Sequence, residues 1–397
     1  MKKMKVLLVF ALVVSMLLGM GISANAANDI KLVLDGKALV SDQAPRLESN
    51  YTLVPIRVIS EALGGEVTYA AATQTVTITT VDHKLVLTVD SKTATVDGKS
   101  VTLDVPMRNF SGRTFVPARF VSESLGATVT YDASTRTVNI AYFSTMSGTI
   151  KIGGSSTVYP VSDKVATHLK SINSGFIPTV VLTDSGDGVK GAISGGYNVG
   201  NASRDLTAQE IADNPDLKSF KIGSDAIAVV VHKNSKVKNL TKQQVIDIFS
   251  GKIVDWADVG ADKGAIIVQT RETGSGTLDG FTKLAMGTEK IVATAKPNKE
   301  NGDMIVSVGS DINAIGFTSL AYVDETKVKA VSIDDIQCSF NNAFAGVWPY
   351  VRPLNVLTKG TPTGLTAKFL NFFRSPQGQK MMTDELYLPL YDKYLSK

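Results

Sequence analysis

The sequence is short of the residues that most catalysis needs. It has one cysteine and three histidines in 397 residues. Cys338 alone can form no intrachain disulfide, so an exported chain of this kind depends on its core for stability. Its surroundings, Asp334-Asp335-Ile336-Gln337-Cys338-Ser339-Phe340, hold no histidine. That reads as a small, half-buried residue rather than a nucleophile. His168 falls mid-helix and His232 ends an apolar strand, so both read as structural or solvated. No G-x-x-x-x-G-K-S/T loop and no G-x-S-x-G elbow occur, which argues against nucleoside triphosphate and serine-hydrolase chemistry. Gly186-x-Gly188-x-x-Gly191 fits the dinucleotide pattern, but Asp187 would place a negative charge in a turn meant for pyrophosphate. The formal charge is only +4. Basic residues cluster nowhere beyond the extreme N-terminus, which argues against a nucleic-acid partner. The residues call for no cofactor and no enzyme activity.

What is present begins with Lys2, Lys3 and Lys5, an apolar run over 6–18, and small residues ending in Ala24-Asn25-Ala26. A basic start, a short apolar centre and an A-x-A site predict a signal peptide over 1–26, cleaved after Ala26. The expected location is extracytoplasmic: cell surface, wall or medium. No cysteine lies near that site to carry a lipid. The length exceeds one compact core, so two or three folding units are expected.

Residues 28–143 contain a duplication. Asp35-Gly36-Lys37 recurs as Asp97-Gly98-Lys99, and Val54-Pro55-Ile56-Arg57 as Val116-Pro117-Ala118-Arg119. Glu61-Ala62-Leu63-Gly64 recurs as Glu123-Ser124-Leu125-Gly126, and Val67-Thr68-Tyr69 as Val129-Thr130-Tyr131. Each copy is displaced by 62 residues, which marks a repeated unit. Each unit predicts strand, turn, strand, short helix and hairpin, with helices over 57–63 and 119–125 closed by glycine. The pattern resembles the stalk domain named after the N-terminal domain of copper amine oxidases, a small α+β unit. With His83 as its only histidine and no cysteine, it has no ligand set for copper. The resemblance implies a spacer or surface-attachment module. A cell-wall partner for it finds no support in particular residues of the sequence. A linker is expected over 144–147.

Beyond the linker, strand-like runs alternate with helical patterns, which predicts an α/β domain over 148–397. Three junctions there share one design: a β run, a Gly/Ser/Thr loop, a helix start. They are Gly153-Gly154-Ser155-Ser156-Thr157, Asp184-Ser185-Gly186-Asp187-Gly188 and Arg271-Glu272-Thr273-Gly274-Ser275-Gly276-Thr277. A helix start presents unpaired N–H groups with partial positive charge, glycine allows close approach, and hydroxyls add donors. Arginine offers a planar fork suited to two oxygens of one anion. Each loop alone reads as ordinary capping. Three together, one bearing Arg271, point to a tetrahedral oxyanion.

These motifs, with Ala202-Ser203-Arg204, Ile248-Phe249-Ser250-Gly251, Ala314-Ile315-Gly316-Phe317 and Tyr350-x-Arg352-Pro353-Leu354, resemble the phosphate-binding proteins of phosphate ABC importers. The resemblance implies a type II periplasmic-binding-protein fold. Lobe one would span 148–230 and 323–397, and lobe two 231–322. It implies inorganic phosphate as ligand and the membrane subunits of an ABC permease as partner. It carries ligand roles to Thr157, Val158, Ser185, Ser203, Arg271, Ser275, Gly276 and Thr277, with Ser156 and Gly186 as second choices, and the Ser203-Arg204 turn brings Arg204 into the expected site. Some relatives place an aspartate after the serine matching Ser203; this chain has Arg204. Asp187 is expected to supply the missing acceptor for a protonated phosphate oxygen. The alternative is that Asp187 caps its helix while Arg204 adds charge.

Overall fold

The computed structural model describes residues 30–394; the expected signal peptide lies outside the described residues. In the first domain the duplication appears as a local two-fold. Strands Tyr51–Pro55 and Arg113–Pro117 pair antiparallel with Val54 opposite Val116, the equivalent residues of the two repeats. Arg46–Glu48 and Arg108–Phe110 flank them in a four-stranded sheet. Each central strand runs straight into a seven-residue helix, Ile56–Ala62 or Ala118–Ser124. Pro55 and Pro117 precede these helices, where a missing N–H costs nothing. A hairpin follows each helix, Glu66–Ala70 with Thr75–Thr79 and Thr128–Asp132 with Thr137–Ala141.

The expected linker is a built joint. Phe143–Thr145 forms a 3-10 turn. The Tyr142, Phe143 and Ser144 amides all donate to the Asp35 carboxylate at 2.9–3.1 Å, and the Ser144 hydroxyl joins them. Asn371, in the helix Gly364–Arg374, accepts from the Val81 amide at 3.1 Å and donates to Asp82 and the Tyr142 hydroxyl. One apolar core runs from Val54, Leu63 and Leu125 through Phe143 to Leu169 and Phe372. The first domain therefore packs on the second rather than hanging from it.

Gly64 shows how close the two approach. It has φ +85°, and an added Cβ would lie 2.1 Å from the Asn371 carbonyl oxygen. Its repeat equivalent, Gly126, has φ +82° and nothing nearer than 3.9 Å. Gly126→Ala is expected to carry only the left-handed backbone cost, about 1–2 kcal/mol. Gly64→Ala adds a clash with backbone, so its denaturation midpoint should fall clearly further. Equal shifts in the two variants would show that the joint yields.

The second domain is organised by one twisted nine-stranded sheet. Eight strands run in the order Phe176–Thr183, Gly148–Ser155, Val199–Ala202, Val351–Lys359, Leu217–His232, Ala314–Ser319, Ile267–Arg271 and Lys296–Asn298, and the ninth, Val328–Ala330, pairs with Leu217–His232 off this path. The 16-residue strand Leu217–His232 crosses between lobes. Its first half pairs with Val351–Lys359 and its second with Ala314–Ser319 and Val328–Ala330. The outward crossing thus falls near Ala226–Ile227, where lobe one was expected to run to 230. The return crossing does not fall at 322. Val328, Val331, Ile333, Cys338 and Trp348 all pack in the second lobe's core, so 323–350 belong with lobe two. The signal was weak in sequence because the strands that anchor this segment are only three and two residues long. Cys338 is fully buried there, rather than half-buried.

Candidate anion-binding site

Lobe one brings three strand ends together. Gly148–Ser155 pairs in parallel with both Phe176–Thr183 and Val199–Ala202, which aligns the loops that follow each strand. Ser156 and Thr157 lead into the helix Tyr159–Ile172. Ser185 opens the helix Ser185–Ser194, capped by Asp184, whose carboxylate accepts from the Asp187 amide at 2.8 Å. The Ser203 amide donates to the Ser185 hydroxyl at 3.0 Å, and the two hydroxyls lie 3.3 Å apart. Glycine makes the cluster this tight. A Cβ on Gly188 would lie 2.1 Å from the Asn201 carbonyl oxygen. Gly186 and Gly188 lie inside the helix Ser185–Ser194, where glycine's weak propensity suggests a loop.

Lobe two faces it with the strand Ile267–Arg271 and the helix Gly276–Phe281, capped by the Ser275 hydroxyl. The lobes are in contact. The Gly186 amide donates to the Gly274 carbonyl at 3.0 Å. The Thr157 and Thr277 hydroxyls lie 3.3 Å apart. A Cβ on Gly276 would come within 2.3 Å of the Ser185 hydroxyl and 2.6 Å of the Ser203 hydroxyl. Asn301 stitches the seam. Its amide nitrogen donates to Ser156 at 3.2 Å and Thr157 at 2.9 Å, while its oxygen accepts from Arg271 at 2.9 Å and Thr318 at 3.1 Å. Ser156, Thr157, Ser185, Ser203, Ser275 and Thr277 are all buried.

The electrostatics of this hydroxyl-lined seam are unbalanced. Arg271 is 2% exposed, and its hydrogen bonds go to Asn301, Ser156 and the carbonyls of Asn298 and Lys299. None of these groups carries charge. Burial, with the Arg352 charge nearby, pulls the Arg271 guanidinium down to about 10. Arg352, equally buried, pairs with Asp225 at 2.8 Å and donates to the Thr157 hydroxyl at 2.9 Å. Its Nη1 is buried without a hydrogen-bond partner. Burial pushes the Asp225 carboxyl up, against the pull of Arg352. Two arginines and one carboxylate leave an excess positive charge out of water, which favours an anion.

Residues 142–377 match the family described as PBP superfamily domain. The chain belongs to the PBP superfamily. Among superfamily structures, it is similar to one from Clostridium perfringens, described as a phosphate ABC transporter substrate-binding protein with bound phosphate. The two are 31% identical, the match covers 62% of this chain and all of that one, and the TM-score is 0.59. An ABC-type phosphate transport receptor from Vibrio cholerae is 28% identical over 60% of this chain and 99% of its own, with TM-score 0.52. The phosphate-binding protein PstS of Bacillus subtilis is 28% identical over 253 residues, 63% of this chain and 84% of the relative. Residues 33–140 match the copper amine oxidase N-terminal domain.

In this PBP-superfamily chain, Ser156, Thr157, Ser185, Ser203, Arg271, Ser275, Gly276 and Thr277 meet at the seam between lobes. Val158 is buried beside them, but its amide donates to Ser155, to the carbonyl at 3.0 Å and the hydroxyl at 3.3 Å. Two residues go elsewhere. Asp187 is exposed on its helix, so it does not stand where an acceptor is needed; nor is it the cap, which is Asp184. Arg204 turns away to grip Glu210 through two 2.8 Å hydrogen bonds, and its Nε lies 2.9 Å from Asp279 of lobe two. It serves as a strap across the lobes. Asn301, Arg352 and Asp225 were not singled out as ligand-site residues in sequence. Arg352 alone left a signal, in the Tyr350-x-Arg352-Pro353-Leu354 motif.

Proposed function

We propose that this chain is an extracytoplasmic solute-binding protein that captures inorganic phosphate between its lobes and delivers it to the membrane subunits of an ABC permease. The observation that carries this reading is Arg271, buried among neutral partners at a seam that also holds six buried hydroxyls. The names of its relatives, phosphate-binding and phosphate-transport proteins, support it. The ligand set is Thr157, Ser185, Ser203, Arg271, Ser275, Gly276 and Thr277, with Ser156 beside Arg271. The chain binds and releases without chemistry, and the first domain attaches it to the cell surface or wall. No helix among the described residues is long and apolar enough to cross a membrane.

Phosphate near neutral pH keeps a proton, and sulfate does not. A hydroxyl accepts as well as donates, so a cradle of serine and threonine can receive a P–OH without a carboxylate. Calorimetry of the cleaved chain is expected to give tighter binding of phosphate than of sulfate. Asp187→Asn should leave that ratio within about twofold, since an exposed surface charge contributes little. Equal or inverted affinities in the unmodified chain would remove phosphate from the proposal.

A further inference from the structure

The first domain carries two surface grooves that its duplication has made alike. One, of about 370 Å³, is lined by ten residues, among them Thr52, Pro117, Arg119 and Tyr131. The other, of about 290 Å³, includes Thr114, Pro55, Arg57 and Tyr69. All ten positions of the larger groove recur in the smaller at the 62-residue offset. Each groove is built by both repeats: the hairpin turn of one against the helix start and outer strand of the other. The two-fold through Val54 and Val116 relates them.

Their chemistry matches as well as their shape. Tyr69 and Tyr131 are 45% and 44% exposed. A single exposed aromatic is ordinary, but equal exposure at two equivalent groove positions is a repeated feature. Beside each ring stands an arginine, Arg57 or Arg119, with its side chain 67% or 61% exposed. The nearest carboxylates, Glu61 and Glu123, are a helical turn away at 4.0 and 3.9 Å. Glu61 is drawn off by Lys393 at 2.7 Å. In the smaller groove Asp42 neutralises Arg113 at 2.8 Å, which leaves Arg57; in the larger, Arg119 is the lone charged residue of the lining. Each groove thus offers an exposed tyrosine, Tyr69 or Tyr131, beside an exposed guanidinium held only at long range by the carboxylate of its own helix; the larger groove adds a second ring, Tyr51, 38% exposed.

We infer that the two grooves each bind one unit of an acidic glycan strand. A sugar ring presents a C–H face that lies on an aromatic ring, and its carboxylate suits a guanidinium fork. Two equivalent sites on one rigid body fit a polymer whose units repeat, because the second contact becomes intramolecular. This deepens the surface-attachment reading of the first domain, and is independent of phosphate binding.

The test uses the cleaved full chain and peptide-free peptidoglycan oligosaccharides, in which every second sugar bears a carboxylate. A tetrasaccharide should occupy two sites per chain. Tyr69→Ala or Tyr131→Ala should leave one, and the double variant none. Long strands should bind about a hundredfold more tightly than the tetrasaccharide, an advantage lost in either single variant. Chitin tetrasaccharide, which lacks the carboxylate, should bind at least about tenfold more weakly. Phosphate titration of every variant shows that the fold is intact and separates this proposal from the function above. Wild-type-like binding by the double variant would overturn it, as would no glycan binding by a chain that still takes phosphate. Equal binding of chitin would overturn the acidic assignment. Self-association that the tyrosine variants abolish, without glycan binding, would make the grooves a dimer contact instead.

Discussion

Arg271→Ala is expected to weaken phosphate binding by about 10²–10⁴-fold, with phosphate losing its ability to raise the unfolding midpoint. A hydrogen bond to a charged group is worth about 1.5–3 kcal/mol, and a guanidinium fork offers two to one anion. The fold contributes a further factor. Burial has already pulled the Arg271 guanidinium down to about 10. The folded chain therefore disfavours this charge relative to the unfolded chain, a cost present throughout the neutral range, below that value. An anion relieves the cost on binding. Arg271→Lys should recover only part of the loss, because an ammonium restores charge without the planar fork. Calorimetry and thermal unfolding with and without phosphate read both effects. Phosphate binding by Arg271→Ala within about threefold of the unmodified chain would show that the charge comes from elsewhere, Arg352 being the alternative.

Gly276→Ala should be nearly as damaging for a different reason. Its added methyl would sit 2.3 Å from the Ser185 hydroxyl and 2.6 Å from that of Ser203, both across the seam. Within lobe two nothing is closer, and the backbone there is not in the left-handed region. The variant should fold normally and fail to close. Phosphate affinity is expected to drop by about 10²-fold or more, since closure completes the ligand set and excludes water. Small-angle scattering should show a more open particle in excess phosphate. Gly302→Ala, with nothing within 4 Å of the new methyl, is the matched control. Closure and affinity unchanged in Gly276→Ala would mean that the lobes meet differently when loaded.

Much of this site was legible because its chemistry is local in sequence. A strand, a Gly/Ser/Thr loop and a helix start occupy a dozen residues, and the chain carries three such junctions. The duplication was equally plain, since a fixed offset needs no structure to be seen. What escaped was long-range. Asn301 contacts Ser156 across 145 residues, and its neighbours Asn298 to Asp303 look like any polar helix start. Asp225 sits inside an apolar strand, where its meaning comes only from Arg352 on the adjacent strand. Arg204 was placed in the cradle because of the serine before it. Its commitment to Glu210 depends on the helix Ala208–Asp213 folding back, with Thr207 and Glu210 capping each other. Charge partners chosen by tertiary structure are not written in the local motif.

The core that joins Val54 and Leu63 to Leu169 and Phe372 has a mechanical consequence. Whatever holds the duplicated domain also holds lobe one, because the two share packed side chains and the Asn371 hydrogen bonds. Lobe two touches the rest chiefly through the crossing strands and the ligand seam. A tethered molecule would then work as a stator and a rotor: the anchored half fixed in orientation, the other half swinging over each phosphate it takes. The membrane side would meet one stationary lobe and read the state of the ligand from the position of the second.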